Sequence, residues 1–132
     1  MIRTESEYRE TLRRIENAEE TFRAEETSLK AKGLQRVAIK RALEPGRAFH
    51  AQLKYEVEAY ERLKRGRFND LHNLQGIGQL LIGARIASGL SQRELAERLG
   101  VHETQVSRDE RNEYNGVKPH QAIHRRRGIL RG

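Results

Sequence analysis

The stretch from Gly89 to Arg111 constrains the fold more than any other part of the chain. It reads GLSQRELAERLGVHETQVSRDER. Gly89-Leu90 turns the chain, and Ser91 follows as a natural N-cap. Glu94 stands three residues on, where its carboxylate can reach back to the cap and complete a capping box. Gln92 to Leu99 then reads as a helix with Leu95, Ala96 and Leu99 inward. Gly100 supplies the left-handed turn that a bulky side chain resists. Val101 is expected to plug the core, and His102 to Arg111 to form a further helix anchored by Val106. Ala96 is small, as it must be where one helix crosses closely over another. Upstream, Ile77 to Ser88 reads as a first helix, with Leu80, Leu81, Ala84 and Ala87 inward. A short turn between two helices crossing at roughly 90–120° leaves the first turn of the last helix projecting from the surface.

The rest of the chain is also helical in character. Aromatic residues make up only 5% of the 132 residues. Ala, Leu, Glu, Arg and Lys, all good helix formers, are abundant. The fold class expected is all-α: an N-terminal helical hairpin or coiled-coil-like extension, followed by the three-helix pattern with a truncated C-terminal part. Thr4 and Glu7 form a capping-box pair at the head of a helix from about 5 to 31. Its apolar stripe is Tyr8, Leu12, Ile15, Phe22 and Leu29, and Gly33 stops it. Leu34 to Leu43 reads as a second, shorter helix, broken or kinked by Pro45-Gly46. Arg47 to Arg65 reads as a third, with Phe49, Leu53, Val57, Tyr60 and Leu63 on one face. The stripe of the second helix, Leu34, Val37, Ile39 and Leu43, and that of the third are expected to pack together as an antiparallel hairpin or to pair with a second copy of the chain. The domain reading is a helical extension over 1–68 for dimerisation or partner binding, a linker over 69–76, the three-helix pattern within 77–124, and a basic tail over 125–132.

The net charge is +7, which favours polyanionic partners. Charge is uneven: residues 3–31 hold eight acidic and six basic side chains, residues 32–67 four acidic and ten basic. The basic stretch is a solvated helix face or a second contact with phosphates or an acidic partner. With no cysteine there is no disulfide, thiolate chemistry or cysteine-based zinc site. The N-terminus lacks an apolar signal core, and no apolar run approaches the roughly 20 residues of a membrane helix. A cytoplasmic protein without membrane contact is the expectation. His120 and His124 share a helical face at metal-ligand spacing, but no third ligand stands near, so no metal is expected. Gly76-Ile77-Gly78 is no dinucleotide loop, because no strand precedes it and no third glycine follows. No base–nucleophile arrangement is visible. No enzyme activity and no cofactor are expected.

Gly89 to Val101, continued by Val106-Ser107-Arg108 and Glu110-Arg111, resembles the Cro/C1-type (XRE) helix-turn-helix family over about 40 residues. The resemblance implies binding to double-stranded DNA by a homodimer, on half-sites about one helical turn apart. It assigns Gln92 a phosphate contact and a bracing role on the recognition helix. It places Glu103, Thr104, Ser107 and Arg108 towards the groove, Gln105 at the edge of that face, and Arg111 with the DNA-binding set. Arg108 would read a guanine, and Glu103 would accept from a cytosine amine or repel wrong sites. Arg85 and Glu110 match the family's structural ion pair. Asp109 departs from the pattern, standing where the family carries an apolar or aromatic residue; it faces outward or caps a local turn. Residues 117–124 allow one more short helix, and the family's fifth helix has no counterpart in 125–132.

The segment Ile2 to Tyr8 with Leu12, Ile15 and Glu16 is similar to the start of HigA-like antitoxins. Glu56 to Leu63 similarly matches a Glu-x-x-x-Tyr-Glu stretch that those proteins carry. This implies a repressor that is also the antitoxin of a toxin–antitoxin module, with a protein toxin bound through the N-terminal helices. The alternative is a helical interaction or scaffold protein whose helix-turn-helix is vestigial.

Overall fold

The computed structural model describes residues 1–115 of the chain. The expectations for 117–124, for the tail 125–132 and for His120 and His124 lie outside them. Among the described residues the chain is helical throughout: α1 (Glu5–Ala31), α2 (Arg36–Lys64), a 3-10 helix (Phe68–Asn73), α3 (Gly76–Ala87), α4 (Gln92–Leu99) and α5 (Glu103–Arg111). The contacts divide it into two units, residues 1–59 and the part from Tyr60 onward.

In the first unit α1 and α2 pair. Thr4 caps α1 by accepting from the Glu7 amide at 3.2 Å. Glu7 does not close the box on Thr4 but reaches one residue further, accepting from the Arg3 amide at 2.8 Å. Gly33, with φ +82°, turns the chain between the two helices.

Pro45 and Gly46 do not divide two helices; both lie inside the continuous α2, so the expected second and third helices form no hairpin with each other. A proline in a helix interior removes one backbone hydrogen bond and costs about 3 kcal/mol. Packing overrides that cost. The α2 seam runs Ile39, Leu43, Gly46, His50, Leu53 and Val57, alternating steps of four and three as helix pairs require. Gly46 is needed where it stands, because a Cβ there would lie 2.9 Å from the Phe22 ring. The Phe22 ring also meets His50 edge-on, at 5.5 Å between centroids. His50 shares a hydrogen bond with the Ile15 carbonyl at 3.2 Å. Lys54 pairs with Glu19 at 3.4 Å.

Several apolar residues of the expected stripes therefore face solvent, Leu34 and Val37 among them. Phe49 is 64% exposed, and Leu12 is exposed while neighbouring Thr11 is buried.

In the second unit the stretch expected as a linker is structured. The 3-10 helix covers most of it, and Leu71 and Leu74 lie against Gly83 of α3. A Cβ on Gly83 would come within 2.8 Å of Leu71 Cδ2. The core consists of Tyr60, Leu63, Leu81, Ile82, Ile86, Ala87, Leu90, Leu95, Ala96, Val106 and Tyr114. The inward face of α3 is turned from the one read in sequence. Leu80 is 38% exposed and Ala84 half-buried, whereas Ile82 and Ile86 are buried. Val101 does not plug the core; it lies at the surface, and its amide bonds the Ala96 carbonyl at 3.0 Å. Leu99 is half-buried.

Candidate nucleic-acid interface

The geometry of α4 and α5 begins with their ends. Ser91 caps α4, accepting from the Glu94 amide at 3.0 Å, while Glu94 accepts from the Ser91 amide at 3.2 Å. Those Ser91 bonds, with the Arg98 and Lys64 charges, hold the Glu94 carboxyl below its usual range. Gly100 closes α4 in the left-handed conformation, φ +68°. Two residues later His102 opens α5 without a side-chain cap. With so short a connection, α5 lies directly against α4, where the small Ala96 is buried.

A buried polar network sets the position of α5. Glu110 accepts from Arg85 Nε at 2.6 Å and from Arg85 Nη2 at 2.8 Å. Gln92 Nε2 donates to the same carboxylate at 3.0 Å. Arg85 Nη1 donates to the Leu90 carbonyl at 2.7 Å. The Arg85 and Glu110 side chains are 3% and 0% exposed. The Glu110 carboxylate on α5 thus ties α3 to the head of α4, and Arg85 extends the network to the α3–α4 turn. The family resemblance implied the Arg85–Glu110 pair and a bracing role for Gln92. The bond to the Leu90 carbonyl it did not imply, because nothing in residue spacing marks it.

The remaining side chains of α5 divide by exposure. Val106, Asp109 and Glu110 are buried. Glu103, Thr104, Arg108 and Arg111 are exposed, and Ser107 and Gln105 are half-buried. Asp109 does not face outward. It is buried, and its carboxylate accepts from Gln105 Nε2 at 3.1 Å. That bond draws the Gln105 amide towards the buried side of the helix. Gln92 is also buried, held at the head of α4 by Glu110.

A second contact, absent from the sequence reading, holds the far end of α5. The chain leaves the helix through Glu113 and Tyr114, both with positive φ, 51° and 59°. Tyr114 is buried, and its amide bonds the Asp109 carbonyl at 2.7 Å. The Glu113 backbone rests on Gly78 of α3; a Cβ there would overlap the Glu113 carbonyl and lie 2.7 Å from Glu113 Cβ. Gln79 Nε2 donates to Glu113 Oε1 at 3.2 Å. The second glycine of Gly76-Ile77-Gly78 was the available signal.

Among the described residues no group of three His, Asp or Glu side chains could hold a metal ion. None of the described helices is long and apolar enough to cross a membrane.

The comparisons agree with this geometry. Residues 82–115 match the family model described as helix-turn-helix. That segment is a helix-turn-helix of the Cro/C1 type, a DNA-binding regulatory module rather than an enzymatic fold. No curated protein and no solved structure matches the chain.

Proposed function

We propose that this chain is a transcriptional repressor that binds double-stranded DNA sequence-specifically as a homodimer, with α5 in the major groove. The observation that carries the reading is the division of α5. Its buried side is locked by Glu110, while Glu103, Thr104, Arg108 and Arg111 stand exposed together on its outer side. A recognition helix needs both properties, a fixed position and a polar surface free to meet base edges.

Within this reading Arg108 donates to guanine O6 and N7, the commonest specific contact. Thr104 and Ser107 complete the groove-facing set, and Glu103 accepts from cytosine or rejects other bases. Gln92 contacts a phosphate while bracing α5 through Glu110. Gln105, with one N–H engaged by Asp109, contributes at the edge of the face. Arg111 adds a phosphate contact.

The test is a duplex selection followed by titration at several salt concentrations. The proposal expects palindromic sites and an affinity that falls with salt, by about 0.9 log units per log unit of salt for each neutralised phosphate. Arg108→Ala should cost about 1–3 kcal/mol at the selected site. It should also relax the preference at one base position in each half-site. If duplex DNA is not retained even at low salt, the reading fails and a helical scaffold takes its place.

A protein toxin bound through the N-terminal helices extends the proposal. It is supported by the eight acidic side chains among residues 3–31, which suit a basic partner. Co-expression with the product of the neighbouring reading frame tests it, by relief of growth arrest.

A further inference from the structure

α2 carries a second seam beside the one that packs on α1. It runs Ala38, Ala42, Pro45, Phe49, Gln52 and Glu56, with the same alternation of four and three. Each of its residues precedes one of the first seam, so it lies about 100° round the helix. Ala42, Pro45, Phe49 and Gln52 are exposed, and Phe49 keeps 64% of its surface open. The cations in this part of α2 lie on the far side of the first seam. Arg47 stands over the Phe22 ring at 5.8 Å, and Lys54 pairs with Glu19. The second seam is thus uncharged over most of its length, with one charge at each end. Arg41, beside Ala42, is exposed, and no carboxylate among the described residues lies within ion-pair distance of it. Glu56 closes the other end; it meets the Met1 ammonium at 3.7 Å and keeps 30% of its side chain exposed. Arg41 stands eight residues before Phe49 and Glu56 seven after, about 12 and 10 Å along the axis.

We infer that this seam is covered by the same seam of a second copy of the chain, the two α2 helices lying antiparallel about a two-fold axis close to Phe49. The inference rests on the reading of the chain as a homodimer and names the surface that makes it one. A two-fold contact joins a patch to itself, so the patch must be complementary to itself. Here the near-equal spacing of Arg41 and Glu56 on either side of Phe49 sets each Arg41 opposite a Glu56 of the other copy. A parallel copy would set like charges together, which is repulsive. Phe49 is then buried at the centre, where aromatic anchors carry most of the binding energy of an interface. With one cation and one anion on an apolar strip, the face offers little to a polyanion or to a strongly basic protein.

The experiment is sedimentation equilibrium of the full chain without DNA, over a range of concentrations. The variants are Phe49→Arg, Arg41→Glu, Glu56→Arg, and the two charge reversals in one chain. Ile77→Arg on α3, where the side chain is 63% exposed, is the control. Circular dichroism checks that each is folded. The parent should be a dimer, and Phe49→Arg should raise its dissociation constant by at least about 30-fold. Each single charge reversal should raise it about fivefold, and the double reversal should bring it back. Mixing the two single-reversal chains should give a heterodimer, because every facing pair is then opposite in sign. The control should sediment like the parent. If the parent is a dimer and Phe49→Arg stays one, the face has another occupant: the inference is overturned while the homodimer reading stands. Single reversals without effect, or a double reversal that does not recover, overturn the antiparallel pairing and the inference with it. A control that dissociates as far as Phe49→Arg overturns it too. A parent that is monomeric at every concentration defeats both the homodimer reading and this inference, and leaves DNA binding by α5 to the duplex selection.

Discussion

Replacing Glu110 with alanine removes the acceptor of three buried hydrogen bonds, two from Arg85 and one from Gln92. The guanidinium stays behind, 3% exposed, without its counter-charge. Breaking a buried pair by deleting one partner costs about 3–5 kcal/mol, because desolvation of the other is no longer offset. Residues 60–115, at roughly 0.05–0.15 kcal/mol per residue, have a total stability of only about 3–8 kcal/mol. The substitution should therefore populate an unfolded second unit at room temperature. Native-state hydrogen exchange at the Leu95 and Val106 amides reports it directly, since both amides sit inside that unit. Their protection should fall by about 3–5 kcal/mol. Replacing both partners by apolar residues, Arg85→Met with Glu110→Leu, should recover most of that protection, because neither charge is then buried. DNA affinity of the double variant should stay reduced, since Gln92 has lost its brace. If Glu110→Ala exchanges like the parent yet loses DNA, the carboxylate is not structural and this account of α5 is wrong.

Other consequences can be checked on single variants. Gly78→Ala forces the Glu113 backbone off α3 and should cost about 1–3 kcal/mol by urea denaturation, despite the better helix propensity of alanine; a neutral result would mean that the exit turn gives way freely. Pro45→Ala restores a backbone donor inside α2 and should stabilise the helical pair by up to about 3 kcal/mol, read as a rise in melting temperature. Ser91→Ala should cost about 1 kcal/mol through the lost cap. It should also flatten the acid limb of the stability curve. The folded Glu94 carboxyl titrates below its ordinary value of 4.5, so its contribution is present above that pH and is lost as pH falls through the depressed value. A parent and a variant with parallel acid limbs would contradict this.

The parts of the fold legible in the sequence were those written in local chemistry. The Ser91–Glu94 box, the Gly100 turn and the start of α5 after His102 each rest on one or two residues whose backbone preference has few alternatives. The readings that failed did so where a polar or small residue occupies a packed position. The seams of α1 and α2 run through Thr11, Gly46 and His50, so a search for apolar residues settles one position away, on Leu12 and Phe49. One residue is a rotation of about 100° around a helix. The same displacement put Leu80 inward on α3, where the buried face holds Arg85 as a member. Asp109 was misplaced for the related reason that burial of a carboxylate depends on a partner, here Gln105. The ion pair was legible as a pair of positions. The bracing role of Gln92 came from the family resemblance, but its partner, Glu110, depends on how α4 lies against α5, which no local pattern encodes.

The sharp division of α5 has a consequence for how such a module changes over generations. Glu103, Thr104, Arg108 and Arg111 stand outside the Arg85–Glu110–Gln92 network. Exchanges at exposed positions usually alter stability by less than about 0.5 kcal/mol. Descendants of this chain can therefore sample new target preferences along one edge of the helix while its mounting is inherited intact. Drift at Gln92 is far more constrained, because there a change of contact is also a change of scaffold.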